Sequence, residues 1–509
     1  MSRISFKDIY GLLDDDIKNK LNTISKFLNK SPDDIFNGKY KDIDIKIDTD
    51  NNEKTFNFID LCCGIGGFHT AINNIKELLS KCILSSDIDL NCRKTYFINH
   101  GMVVHNDLTK IPKEKLKDVR IDMVCAGFPC QPFSVAGKRM GLDDPRGTLI
   151  YDIFNLIEFL NPKFVVLENV KGLKSMTNGN NTEQKIYEWI LLKLKTLGYL
   201  YFDRVLSPHE IGIPQKRDRV IIVGVRSDLV QSDLHDKFQD SQLKYIETLI
   251  NKKKMTETKI LQDEKEIDEQ YKFTDIKKNT IDLWKKFVSM KEWDLISNSE
   301  LNKIYSDNCN KKTKTTRNFK QSHIFIDFIL YKNNRNVPKN VPYYKTRKDG
   351  MISQSIYEHC KTLNLFYDNY EPFKILIDKF LQENLTDIEK LSYVCRFLEY
   401  SGGMDYGSSC DLNKCFGQFR QSGTRIRKGV IFPTLVKSGP IPFIIKDNRF
   451  LTNVECARLQ SFDDNFVFLS RNECMKQTGN AVNTQVIELM IRSVINLTDL
   501  SNKGGNPLV

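Results

Sequence analysis

The sequence has no apolar run long enough to cross a bilayer as a helix, which excludes membrane-spanning helices. Its thirteen cysteines include no CxxC pair, and no histidines stand at zinc-ligand spacing, so neither a zinc module nor any other metal site is expected. An odd count of scattered thiols (Cys62, Cys82, Cys92, Cys309 and Cys360 among them) also argues against a pure disulfide framework. Most read as small apolar core residues in a reducing compartment. No GxxxxGK[ST] loop is present, so no ligand has to carry a triphosphate. There is no internal repeat. The opening MSRISFKDIYGLLDDD lacks a signal-peptide core and cleavage site, and a cytoplasmic location is expected.

What is present suits a globular protein. A chain of 509 residues, 40% hydrophobic, can bury a large core and divide into two or three domains. A formal net charge of +11 points weakly to a polyanionic partner. Residues 1–52 read as a helical extension, with Ile9, Leu12 and Leu13, then Leu21, Ile24 and Leu28, at helical spacing. From Asn57 to Arg226 the runs FNFIDL, CILSSD, DMVCAG, FVVLEN and VIIVGV alternate with amphipathic stretches. That rhythm predicts an α/β fold, a doubly wound and mostly parallel sheet with ligands at the carboxyl ends of its strands. The rhythm stops between 229 and 449, read as a separate smaller domain with a long basic insert, and resumes over 450–500. A domain of 53–228 plus 450–500 is therefore expected.

The first strand ends in a glycine-rich turn, LCCGIGGF, where Gly64, Gly66 and Gly67 allow tight turning and close approach to a ligand. The next strand end offers Asp87, suited to ribose hydroxyls, and the following one Asp107, suited to an adenine amino group. Glycines and two acids at successive strand ends favour a nucleoside site over simple packing.

The segment DMVCAGFPCQPFSVAGKRMGLDDPRG then puts a thiol, Cys130, on a loop stiffened by Pro129 and Pro132 at a strand's carboxyl end. Gly, Ser and basic residues follow (Ser134, Gly137, Lys138, Arg139, Arg146), a composition suited to contacting phosphates. FVVLENV delivers Glu168, read either as a helix cap or salt bridge, or as a carboxyl that protonates a heterocycle beside the thiol. IPQKRDRVIIVG places Gln215, Arg217 and Arg219 on alternate residues, hence on one face if that stretch is strand.

In this order the motifs DLCCGIGG, GFPCQPFSVAGKRMGLDDPRGTL, ENV, QKRDR, LTNVECARLQSF and QTGNAV resemble those of the C5-cytosine-specific DNA methyltransferases of bacterial restriction-modification systems. The resemblance covers about 55–226 and 449–490. It implies the S-adenosylmethionine-dependent methyltransferase fold with a separate DNA target-recognition domain over 229–449, and methyl transfer to C5 of a flipped-out cytosine. Cys130 would be the nucleophile, Glu168 the acid at the ring, and Arg217 and Arg219 the residues positioning the cytosine. S-adenosyl-L-methionine would be held by Asp60, Gly64, Ile65, Gly66, Gly67, Asp87, Ile88, Asp107, Asn480 and Val482. Gln131, Ser134, Lys138, Arg139, Arg146 and Gln215 would serve the DNA-embracing loop, and Arg420, Arg425, Arg427 and Thr434 the recognition region. One departure is Cys62, where the family usually has an aromatic Phe against the cofactor. A monomer acting on double-stranded DNA is expected, nucleoid-associated when bound, with room for a cognate restriction endonuclease acting separately. Two alternatives stay open, a tRNA cytosine-5 methyltransferase and a non-catalytic DNA-binding protein with the same fold.

Overall fold

The computed structural model describes residues 10, 15–39, 54–129, 145–178, 181–254, 259–308, 323–325, 365–390, 397–401, 411, 415–420, 423–429, 431–437 and 439–501. Cys130, Gln131, Ser134, Lys138 and Arg139 lie outside the described residues, as do the side chain of Arg146 and the basic run from Lys311 to Lys348. The chain forms two units. One comprises Met1–Leu261, Pro433–Ser438 and Asn453–Val509, the other Gln262–Phe432 and Gly439–Thr452.

The first unit opens with helices α1 (Asp15–Leu28) and α2 (Pro32–Phe36). The apolar runs are then strands: β1 (Phe56–Leu61), β2 (Ser80–Ser86), β3 (Met123–Gly127), β4 (Phe164–Val170) and, after an intervening β5 (Tyr199–Leu206), β6 (Arg219–Arg226). They form one six-stranded sheet in the order β2–β1–β3–β4–β6–β5. β1 pairs in parallel with both β2 and β3, and β3 with β4. β6 is antiparallel to its neighbours β4 and β5. Strands of this kind are covered on both faces and therefore read as unbroken Val, Ile and Leu runs. β5 gave no such run because only Tyr199, Phe202 and Leu206 are buried along it. It closes one edge of the sheet.

Helices α3 (Gly67–Asn73), α4 (Leu90–His100), α5 (Pro145–Leu160) and α6 (Ile186–Thr196) link these strands. The strand order reverses at β1, from which the chain runs to β2 on one side and later to β3 on the other. The carboxyl ends of β1 and β3 therefore flank the crevice where such sheets bind ligands. Helix α7 (Phe238–Lys254) stays with this unit: Phe238 meets Phe202 of β5, with ring centroids 6.1 Å apart, and Arg204 pairs with Glu247 at 2.5 Å.

The second unit contains α8 (Asp275–Val288), α9 (Asn298–Asn308) and α10 (Glu371–Lys390). Its strands are β7 (His323–Phe325), β8 (Phe397–Ser401), β9 (Cys415–Arg420), β10 (Gly423–Lys428), β11 (Pro442–Ile444) and β12 (Arg449–Phe450). They pair in the order β12–β11–β9–β10–β8–β7. Trp284, Phe287, Trp293 and Phe380 fill its core, joined by Ile426 and Phe443 from the sheet. Gly417 must be glycine here, since a Cβ would stand 2.2 Å from the Phe443 ring. The first unit is completed by α11 (Asn453–Leu459), α12 (Arg471–Asn480) and α13 (Thr484–Ser501). Among the described residues no helix is long and apolar enough to cross a membrane.

Candidate active site

The turn after β1 is tightly specified. Cys62, Gly64 and Gly66 all have left-handed φ values, 52°, 54° and 89°. A Cβ on Gly66 would lie 2.1 Å from Nε2 of His100, and one on Gly67 would lie 2.4 Å from Cγ2 of Val482. The ring of His100 also lies with its Nε2 3.3 Å from the carbonyl of Ile65, and burial depresses its pKa to about 4, so it stays neutral near pH 7. At Gly64 a Cβ would meet nothing within 4 Å, so that side of the turn is open.

The Asp87 carboxylate closes this cradle. Its Oδ2 accepts the N–H of Gly64 at 2.8 Å and its Oδ1 that of Asp89 at 2.8 Å, leaving further lone pairs for a ligand. Beside it Ile88 is 84% exposed, an unpartnered apolar surface next to an acid. The Asp107 carboxylate accepts from the N–H and hydroxyl of Thr109 and pairs with Lys110 at 3.2 Å. Asn480 is exposed at the end of α12, and Val482 is buried against Gly67. An open glycine, a half-buried acid and a bare aliphatic side chain fit a nucleoside-bearing cofactor such as S-adenosylmethionine.

Two expected cofactor residues sit differently. Asp60 is fully buried, its pKa pushed well up by burial and by Asp87, against the opposing N–H of His69 and hydroxyl of Tyr96. It supports the turn from below. The Ile65 side chain is likewise buried, so only its main chain faces a ligand.

At the neighbouring strand end Gly127 pairs with Glu168, and the loop to Cys130 starts immediately afterwards. Asn169 pins that loop, its Nδ2 donating to the carbonyl of Phe128 at 3.0 Å. This contact was missed in the sequence, although the ENV triplet carried it. Glu168 is 8% exposed, and its Oε1 lies 2.9 Å from Nε of Arg219. Burial raises the Glu168 pKa, with Arg219 and Arg217 opposing. The antiparallel pairing of β6 with β4 sets Arg219 opposite Val170, and so brings the start of β6 to the end of β4. Glu168, Arg217, Arg219, Ile221, Val482 and Asn483 help to line one small pocket.

Arg217 and Arg219 were expected to share one task, and their surroundings separate them. Arg217 is 1% exposed. Its Nη1 donates to the carbonyl of Leu435 at 3.0 Å, and its Nη2 to those of Gly479 and Ala481 at 3.1 and 2.7 Å. Burial, then the nearby Arg219 charge, lower its pKa to about 9. Those bonds commit it to holding the pocket wall. Gln215, expected beside DNA, is instead fully buried and accepts from Gln460 at 3.2 Å. Thr434, expected in the recognition region, lies in the first unit and donates to the carbonyl of Lys216 at 2.5 Å.

In the second unit β9 and β10 pair with Gln418 opposite Arg425, Phe416 opposite Arg427 and Arg420 opposite Gly423. Opposed residues share a face, so Arg420, Arg425 and Arg427 lie on one face, away from the buried Thr424 and Ile426.

Comparison with known proteins gives the family. The family described as C-5 cytosine-specific DNA methylase matches residues 56–496. The chain belongs to that family. It is similar to type II methyltransferases. It is 41% identical over 176 residues to M.BsuFI of Bacillus subtilis, covering 35% of this chain and 41% of that one. It is 42% identical over 176 residues to M.HpaII of Haemophilus parainfluenzae, covering 34% and 47%. The match thus spans less than half the length of either relative. M.BanI of Aneurinibacillus aneurinilyticus is 29% identical over 457 residues, 86% of this chain and 95% of its own. Among solved structures, the Entamoeba histolytica methyltransferase EhMeth aligns with a TM-score of 0.47 at 14% identity, over 87% and 98% of the two chains.

Proposed function

We propose that this protein is a DNA (cytosine-5-)-methyltransferase acting through a covalent adduct between Cys130 and C6 of a flipped-out cytosine. The observation that carries the reading is the buried pairing of Glu168 with Arg219 beside the loop after β3, which Asn169 fastens through the carbonyl of Phe128 just before Cys130 in the chain.

S-adenosylmethionine, when bound, supplies an electrophilic methyl group. Gly64, Asp87, Ile88 and Asp107 would hold it, with Val482 closing the cradle behind Gly67. The residues of the chain do the rest. C5 of cytosine is a weak nucleophile until a thiolate adds at C6. A free cysteine is only a few per cent thiolate at pH 7, so a neighbouring cation has to favour the anion; Arg219 is the candidate. Glu168, whose pKa burial raises against the opposing charges of Arg219 and Arg217, donates a proton or hydrogen bond at N3 as negative charge develops on the ring. Once C5 carries the methyl group, a base takes the C5 proton, the proton at N3 returns to Glu168, the C6–S bond breaks and the thiolate leaves. The base cannot be reached inside a duplex, and extruding it costs a few kcal/mol.

The arginines on one face of the β9–β10 pair support assigning the second unit to target recognition, with contacts to phosphates and base edges. The loop residues Gln131, Ser134, Lys138, Arg139 and Arg146 would close over the flipped base. The reading is tested with duplex DNA carrying 5-fluorocytosine and tritiated methyl donor. A denaturation-resistant protein–DNA complex that Cys130→Ser abolishes is expected; labelling of tRNA in place of duplex DNA would overturn the choice of substrate.

A further inference from the structure

The helices that precede the sheet pack against α4. Leu21, Ile35 and Phe36 are buried with Phe97, Ile98 and Val103 in one apolar cluster. Lys94 donates to Oδ1 of Asn37 at 2.8 Å, and its ammonium stands 4.7 Å from the Phe36 ring centroid. At Gly38, whose φ is 70°, a Cβ would come within 2.9 Å of Cδ1 of Leu90 and 3.3 Å of Nη2 of Arg93. The same first turn of α4 reaches the other way. Nη1 of Arg93 donates to the carbonyls of Asp87 at 3.1 Å and Ile88 at 3.4 Å, and Asp89 caps the helix by accepting from Asn91 and Cys92.

The turn Leu90–Lys94 is therefore gripped by residues 36–38 and itself grips Asp87 and Ile88. A loop that ends in a bare isoleucine has little packing of its own, so its orientation comes from what holds the helix behind it. We infer that the segment 15–39 is a positioning element for the methyl donor, acting through Arg93 on the carboxylate and apolar side chain that would bind ribose and adenine. This rests on the donor site proposed above. It gives the N-terminal segment a role at the cofactor end that is separate from DNA.

The experiment is calorimetric titration of the full chain with S-adenosylhomocysteine, alongside duplex binding and steady-state kinetics. Phe36→Ala is expected to weaken donor binding about fivefold to tenfold, raising KM for the donor and leaving kcat at saturation and the Kd for duplex unchanged. Arg93→Ala should act in the same direction, and the double variant should be no worse than Arg93→Ala alone, the signature of one shared route. Folded Phe36→Ala protein that binds the donor as the parent does, or effects that multiply in the double variant, would overturn the inference. If Phe36→Ala does not fold, Asn37→Ala removes the acceptor of Lys94 together with the amide's bonds to Asp33, and should still cost about twofold to threefold; no change there overturns it equally. A parent chain that fails to bind S-adenosylhomocysteine at all defeats the donor-site reading itself, an outcome distinct from unchanged variants.

Discussion

The turn Gly64–Gly67 presents tightly shaped main chain, the Asp87 carboxylate and the aliphatic side chain of Ile88, whereas the surroundings of Glu168 present two guanidinium groups and a carboxyl sealed into the protein. The first surface is fixed by backbone shape, so a side-chain change there alters fit by degrees. The second depends on charges taken out of water, where losing one partner leaves another uncompensated. A change at the pocket should therefore cost orders of magnitude, and one at the cradle only a small factor.

The largest effect belongs to the pocket. Cys130→Ala should abolish tritium transfer, and Glu168→Ala should lower kcat by about 10²–10⁴-fold, the range for a positioned general acid; a Glu168→Ala enzyme within tenfold of the parent would erase the contrast. Arg217→Ala comes next, and its loss should appear as instability. Three carbonyls lose their donor, at about 1–3 kcal/mol for each buried group left unpaired, so the melting temperature should fall by several degrees or more. Arg219→Ala, which leaves one buried carboxyl without its partner, should lower the melting temperature less than Arg217→Ala does and kcat far more. Equal behaviour of the two variants would show that both arginines serve the base after all.

A pH profile sharpens the same point. Burial raises the Glu168 pKa, so its protonated form dominates below that value and is lost as pH rises through it. Both its donation at N3 and its share of folding stability should therefore decline on the alkaline side. In Glu168→Gln, which cannot ionise, that limb should flatten in a kcat–pH series even though the overall rate is lower. The smallest effect is at the cradle: Cys62→Phe restores an aromatic surface at an already left-handed position and should tighten S-adenosylhomocysteine about twofold to fivefold, a modest aromatic gain. Weaker binding would mean that the turn needs a small residue there.

The legibility of the sequence divides along similar lines. The strands β1–β4 and β6 were readable because strands buried on both faces spell unbroken apolar runs, and Asp87, Ile88 and Glu168 were readable because they follow those runs directly. β5 was not, since an edge strand mixes Asp203 and Arg204 with its buried residues. The pairing of Arg217 with Arg219 by alternation presumed a strand through both, but β6 begins only at Arg219, and residue 217 obeys its hydrogen bonds to distant carbonyls instead. The second unit was opaque for a related reason. Against its core pack aromatic contacts of Phe273 with Phe419, Phe443 and Phe450, each more than a hundred positions away along the chain, and no local period encodes them.

The hexapeptide Pro433–Ser438 belongs to the first unit although residues of the second flank it on both sides. Anyone exchanging recognition regions between related enzymes, or excising this one with a linker from Leu261 to Asn453, would discard Thr434 and the Leu435 carbonyl along with it. A transplant that keeps those six residues keeps that part of the pocket wall; one cut at the outer junctions strips Nη1 of Arg217 of the Leu435 carbonyl and leaves its Nη2 bonds to hold it alone.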